Sequence, residues 1–266
     1  MRIAVKIILA GMALASLLPA QIVPADKASP RTDQNSKIAH EQLLAKAKQG
    51  RVDVYFEGDS ITRRWGATDY PQFLENWKQN FFGWSAGDFG WGADRVENIL
   101  WRLENGELDG VNPKVIVLLA GTNNIGNKIP SEGADAVVED VTRGLQTVVK
   151  LMQSKAPDAT IIVTAIFPRN DNMAVMPEID KINANLANLT KTAGPKVRFL
   201  NINDKLADPG GRLRDGMLND RDKLHPQLAG YQVWADALKP ILTELLGPPA
   251  SEDHAPPPTG DPSARR

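Results

Sequence analysis

An α/β fold, with a parallel sheet held between two layers of helices, is what the alternation of residue patterns along this chain predicts. Two observations carry that expectation. Val115–Ala120 and Thr160–Phe167 are nearly unbroken apolar runs, as strands covered on both faces require. Between such runs, Val96–Leu103, Ala134–Met152 and Ile179–Leu189 place apolar residues three and four apart, the spacing of helices with one buried face. A third observation points the same way: the polar segments richest in reactive side chains directly follow strands, where open α/β sheets form their binding crevices.

In chain order, Arg2 and Lys6 bracket the start of an apolar run, Ile7–Ala20, that is short for a bilayer span and reads as a secretory signal. Ala20 and Ala25 are the candidate cleavage sites, and Ala25, with the small Val23 at minus three, is the better match; cleavage there places residues 1–25 outside the mature domain, which is then periplasmic or secreted, with no stable membrane insertion. Residues 26–36 are polar and aperiodic, and residues 247–266 are rich in proline, so both read as disordered. The folded unit is residues 37–246. Val52–Phe56 is its first strand, a weaker one lies within Phe82–Phe89, and Val197–Ile202 follows the two apolar runs. Tyr231–Leu246 closes the domain as a helix.

Composition narrows the function. The 266 residues are 42% hydrophobic and 24% charged, which suits a soluble enzyme. A formal charge of −1 offers no basic surface for nucleic acid or anionic lipid. The absence of cysteine excludes disulfides, thiolate metal sites, a lipid-modified cysteine and cysteine nucleophiles together. No carboxylates cluster with histidine at metal-ligand spacing, and the glycines at 87, 90 and 92 do not have dinucleotide-binding spacing, so neither metal nor nucleotide cofactor is expected.

The chemistry centres on Ser60, in Gly58-Asp59-Ser60-Ile61-Thr62 at the end of the first strand. A serine hydroxyl is a weak nucleophile until a base takes its proton. His40 lies in an N-terminal amphipathic segment and His254 in the tail, leaving His225 as the base by elimination. Pro226 disfavours helix at His225 and suits the first position of the next one, so Asp222 and His225 share a loop. A loop lets the Asp222 carboxylate accept the Nδ1 proton and leave Nε2 facing Ser60. Asn123, in Gly121-Thr122-Asn123-Asn124, can offer a side-chain amide to an oxyanion, and the segment Gly90–Asp94 a backbone N–H. The plainer roles are a helix N-cap at Ser60, a solvated loop around Asp222 and His225, and a tight turn at 90–94.

These four blocks resemble the SGNH, or GDSL-type, hydrolases over roughly residues 51–245, with Ser60, Asn123 and His225 matching directly and Asp222 as third triad member. Trp101-Arg102-Leu103-Glu104-Asn105-Gly106-Glu107-Leu108 is similar, within that family, to the catalytic subunits of platelet-activating-factor acetylhydrolase. The resemblance implies a flavodoxin-like sheet of five parallel strands, an acyl-enzyme mechanism and short acyl groups, with acetylated carbohydrate among the substrates of exported relatives. It implies an oxyanion hole from Ser60, Asn123 and the residue aligned with the family's glycine, which here is Ala93, or Gly92 if the register slips by one. Alanine suits that role if its φ is negative. Asp59, Arg64, Trp65 and Asn124 are candidates for contact with a small-molecule or glycan ester, in loops that include 63–70 and 168–177. A glycan-binding protein without turnover and an acyltransferase are the alternatives on the same fold.

Overall fold

A computed structural model of the chain describes residues 23–126 and 133–265; the expected signal segment up to residue 22 lies outside the described residues. Five strands, β1 (Val54–Gly58), β2 (Ala86–Asp88), β3 (Val115–Leu119), β4 (Thr160–Thr164) and β5 (Val197–Leu200), form one sheet in the order β2-β1-β3-β4-β5. All pairings are parallel, and Val54 registers with both Ala86 and Val115. β1 and β3 are buried along their whole length, which is why β3 is continuously apolar and β1 is apolar apart from Glu57, rather than alternating.

Successive strand residues face opposite layers. Tyr55, Ile116, Leu118, Ile161 and Val163 meet one core with α4 (Val96–Glu104), α6 (Ala134–Lys155) and α7 (Met176–Thr192). Phe56, Val117, Leu119 and Ile162 meet the other with α2 (Ser60–Gly66), α3 (Pro71–Phe81) and α9 (Leu228–Leu246). Trp65 is the hub of this second layer, stacked on Tyr231 at 4.9 Å and on Trp234 at 5.0 Å. A further helix, α1 (Gln34–Lys46), starts inside the segment that composition marks as disordered, capped by Asp33, whose carboxylate accepts from the Ser36 N–H.

Both ends therefore differ from the sequence reading. The N-terminal segment lies over α4, where the Ser29 N–H donates to the Glu97 carbonyl, and Ala25 is buried against Gly144 of α6. The C-terminal tail returns past α3 and ends against α1, where Asn35 Nδ2 donates to Asp261 Oδ1 at 2.9 Å. Ala250 N–H donates to the Gly83 carbonyl, His254 accepts from the Arg51 N–H, and Pro256–Pro258 cover a cavity of about 290 Å³ beside Trp77 and Phe81. Composition registers that neither segment has a core of its own. It does not register apolar surface on the rest of the domain that such segments can cover.

Candidate active site

Ser60 is the first residue of α2, directly after the buried end of β1. The sharp turn there leaves no room for a side chain at Gly58: a Cβ would sit 2.4 Å from the Leu119 carbonyl oxygen. Gly90 is equally constrained, because a Cβ would approach the Arg63 nitrogen to 2.7 Å. The Trp91 N–H also donates to the Gly58 carbonyl at 3.0 Å. Backbone contact alone thus presses the segment 90–94 against the turn that carries Ser60.

His225 reaches this turn from the loop before α9. Its Nε2 lies 2.8 Å from Ser60 Oγ, and its Nδ1 lies 2.9 Å from Asp222 Oδ2. The Asp222 carboxyl is pushed up by burial, but the N–H groups of His225 and Leu224 and the imidazole more than offset that and hold it below the ordinary range. An ionised Asp222 only accepts, so Nδ1 carries the proton and Nε2 is left to accept from the Ser60 hydroxyl. Lys223, at φ +50°, makes the left-handed step that folds the loop back between the two residues. The His225 imidazole is itself held below its ordinary value, first by burial and then by the Arg64 and Arg169 cations, against the pull of Asp222. Near neutral pH it is the free base.

Asn123 sits in the four-residue helix α5 (Thr122–Ile125), entered through Gly121 at φ +116°. Its Nδ2 donates to the Asp94 carbonyl at 2.9 Å, which ties β3's loop to the 90–94 turn. Ala93 lies in that turn with φ +62°. This corrects the expectation of negative φ: position 93 has the backbone conformation that favours glycine, whereas position 92 does not.

Other candidates divide. Arg64 faces the site, its Nη1 3.4 Å from Asp222 Oδ2 and its guanidinium over the Tyr70 ring. Trp65 does not: at 0% exposure it belongs to the core and has no face for a ligand. Asp59 is also fully buried, its Oδ1 accepting from the Ile61 N–H as the cap of α2, while Oδ2 has no partner. Burial raises its carboxyl to about 7. Asn124 is spent on structure, accepting from the Val96 N–H and donating to Glu97. These three read as site residues because they neighbour the motifs, and the sequence does not say which way a neighbour points.

The family resemblance is borne out by kinship. Residues 56–233 match the model of the GDSL-like lipase/acylhydrolase family. The chain belongs to that family. It is 30% identical over 246 residues to platelet-activating factor acetylhydrolase IB subunit alpha1 of Bos taurus, covering 90% of this chain and 97% of the relative. The alpha2 subunit of Homo sapiens is 31% identical over 210 residues, covering 78% and 83%. Among solved structures, a GDSL-like lipase from Bacteroides thetaiotaomicron superposes with a TM-score of 0.57 at 18% identity over 78% of this chain and 98% of that one. A family two carbohydrate esterase from Clostridium thermocellum, in complex with cellohexaose, gives 0.54 at 15% identity over 75% and 66%. This family member is a hydrolase of ester bonds on a five-stranded parallel α/β fold.

Two sets of residues escaped the sequence reading. Arg169, in the loop after β4, is 3% exposed and donates from Nη1 to the Thr122 carbonyl and hydroxyl at 3.1 Å, bracing the block that holds Asn123. Arg102 lies in the Trp101–Leu108 motif, which sequence likeness marked without giving it a role. Its guanidinium is buried among three carboxylates: Glu57 of β1 at 2.6 Å, Asp94 at 2.7 Å, and Glu107. One cation therefore cross-braces the strand that ends at Ser60 and the turn that holds Ala93. The signal was present in the sequence as Glu57, an acid inside an otherwise apolar strand, which needs a buried partner.

Proposed function

We propose that this ester hydrolase is an exported serine esterase acting on short-chain acyl esters, acetyl foremost, with a carbohydrate hydroxyl as the leaving alcohol. The observation that carries the reading is the run of two contacts from Ser60 Oγ through His225 to Asp222, at 2.8 and 2.9 Å. Ser60 Oγ attacks the ester carbonyl as its proton passes to His225 Nε2. Asp222 stabilises the imidazolium that results, and the carbonyl oxygen becomes an oxyanion held by Asn123 Nδ2 and the N–H groups of Ser60 and Ala93. Collapse breaks the ester bond, and the imidazolium returns its proton to the departing alkoxide. Water then repeats the sequence on the acyl-Ser60 ester, releasing the acid and restoring the hydroxyl.

The acetyl preference is supported by the relatives of 30–31% identity, which are named acetylhydrolases. The carbohydrate alcohol is supported by the export reading and by Arg64, a cation that faces the site beside Asp222. For export, burial of Ala25 and the hydrogen bond from its N–H to Asp140 favour cleavage after Ala20, which keeps that contact. Mass spectrometry of the exported protein would give its N-terminus. The function is tested by p-nitrophenyl acetate turnover beside Ser60→Ala, with a chain-length series to octanoate and then acetylated glycans. Loss of about 10³-fold or more in kcat with the alanine, and rates falling steeply beyond short acyl chains, are expected. Equal rates for the two proteins remove Ser60 as nucleophile.

A further inference from the structure

We propose that Arg31, delivered by the segment that precedes α1, is a positioning residue that fixes the orientation of the Gly92–Ala93 peptide and thereby aims the Ala93 N–H at the oxyanion. The inference rests on the esterase reading above and concerns how that donor is held. Residues 91–94 form a closed turn, with the Asp94 N–H donating to the Trp91 carbonyl at 3.3 Å. Positive φ at the third residue, Ala93, but not at the second, Gly92, is the pattern of a type II turn. The type I turn closes the same four residues with the middle peptide rotated by about 180° and negative φ at the third. That alternative is the one an alanine side chain favours. In it the Ala93 N–H points the opposite way. The donor that the mechanism requires is therefore held in the conformation its own side chain opposes.

Arg31 supplies what opposes the rotation. Its Nη1 donates to the Gly92 carbonyl oxygen at 3.1 Å and to Asp94 Oδ1 at 3.3 Å, while Asp33 holds the far side of the guanidinium at 3.0–3.1 Å. The Gly92 carbonyl and the Ala93 N–H belong to one trans peptide and point in opposite directions. A cation on the oxygen thus fixes the direction of the N–H and polarises it as a donor. Arg102 and Asn123 also hold the turn, but their bonds are to Asp94, one residue further on. Arg31 is itself delivered by an anchored segment, through the Ser29 N–H to the Glu97 carbonyl and Asn98 Nδ2 to the Ser29 carbonyl, at 3.0 and 2.9 Å.

The test is steady-state turnover of p-nitrophenyl acetate by the purified protein and by Arg31→Ala, Arg31→Lys and the double variant Arg31→Ala/Ala93→Gly. Each is paired with the affinity for an alkyl trifluoromethyl ketone, to which Ser60 Oγ adds, its proton passing to His225 and the ketone oxygen becoming the bound oxyanion. Removing a whole oxyanion donor costs about 10²–10³-fold, so misdirecting one is expected to lower kcat by about 10-fold in Arg31→Ala, with KM within about twofold. Ketone affinity should fall by the same factor, and lysine should restore most of both. Glycine at 93 removes the penalty on positive φ, so the double variant should recover about fivefold over Arg31→Ala. Wild-type kcat in Arg31→Ala, a loss confined to KM, or a loss that glycine at 93 does not reduce would each overturn the proposal. Should Arg31→Ala not fold, Arg31→Gln carries the same comparisons. Ser60→Ala separates the two levels: an inactive Ser60→Ala beside a normal Arg31→Ala sinks the Arg31 proposal alone, whereas an active Ser60→Ala sinks the esterase reading with it.

Discussion

Asp59, the residue before the nucleophile, offers a sharp test of the electrostatics under the site. Its carboxyl is wholly buried, one oxygen caps α2 and the other has no partner, so burial raises it from an ordinary 3.8 to about 7. A carboxyl whose folded value is raised costs stability where it is ionised. The cost grows as pH rises from about 4 to 7 and is constant above. A difference of about 3 pH units corresponds to about 4 kcal/mol between pH 4 and pH 8. Asp59→Asn keeps the cap, since asparagine serves as well as aspartate there. It removes the charge and places an amide where Oδ2 found no partner, at about 1–3 kcal/mol whatever the pH. The variant should therefore be less stable than the parent at pH 4 and more stable at pH 8. Urea denaturation of both proteins at pH 4, 6 and 8 measures this, and the shared contributions of Asp88 and Asp94, both raised by burial to about 6, cancel in the difference. A stability difference that does not change with pH would refute the reasoning.

Three further outcomes are expected. Arg64→Gln removes a cation that disfavours the imidazolium and frees Asp222 for it, so the His225 value rises and the acid limb of kcat/KM moves to higher pH, as a pH–rate profile would show. Replacing Arg102 by methionine leaves Glu57, Asp94 and Glu107 buried without their cation, and should cost about 3–5 kcal/mol in urea denaturation. Trp65→Phe should lower stability by about 1–3 kcal/mol through lost packing on Tyr231 and Trp234 while leaving KM within about twofold; a larger KM change would restore Trp65 as a substrate contact.

The amino-acid sequence by itself determined the α/β class, because a strand buried on both faces must be apolar throughout, and β1, β3 and β4 are so apart from Glu57 and the terminal Thr160 and Thr164. It also determined the pairing of Ser60 with His225 and Asp222, since of three histidines one lies in the N-terminal amphipathic segment and one in the proline-rich tail, which leaves one base to choose. Strand ends and loop order then predict which blocks meet. Tertiary structure alone decided the direction of side chains beside those blocks, so Trp65 and Asn124 face inward or bond locally although they adjoin Arg64 and Asn123. It decided the sign of φ at Ala93, which runs against the residue's own preference in a turn held by contacts from distant segments. It decided, too, that the terminal segments lie on the domain and that Arg31, 61 residues from Gly92, reaches its carbonyl. Local pattern specifies which face of an element is apolar; where two distant segments touch is set by the sum of packing over the whole chain.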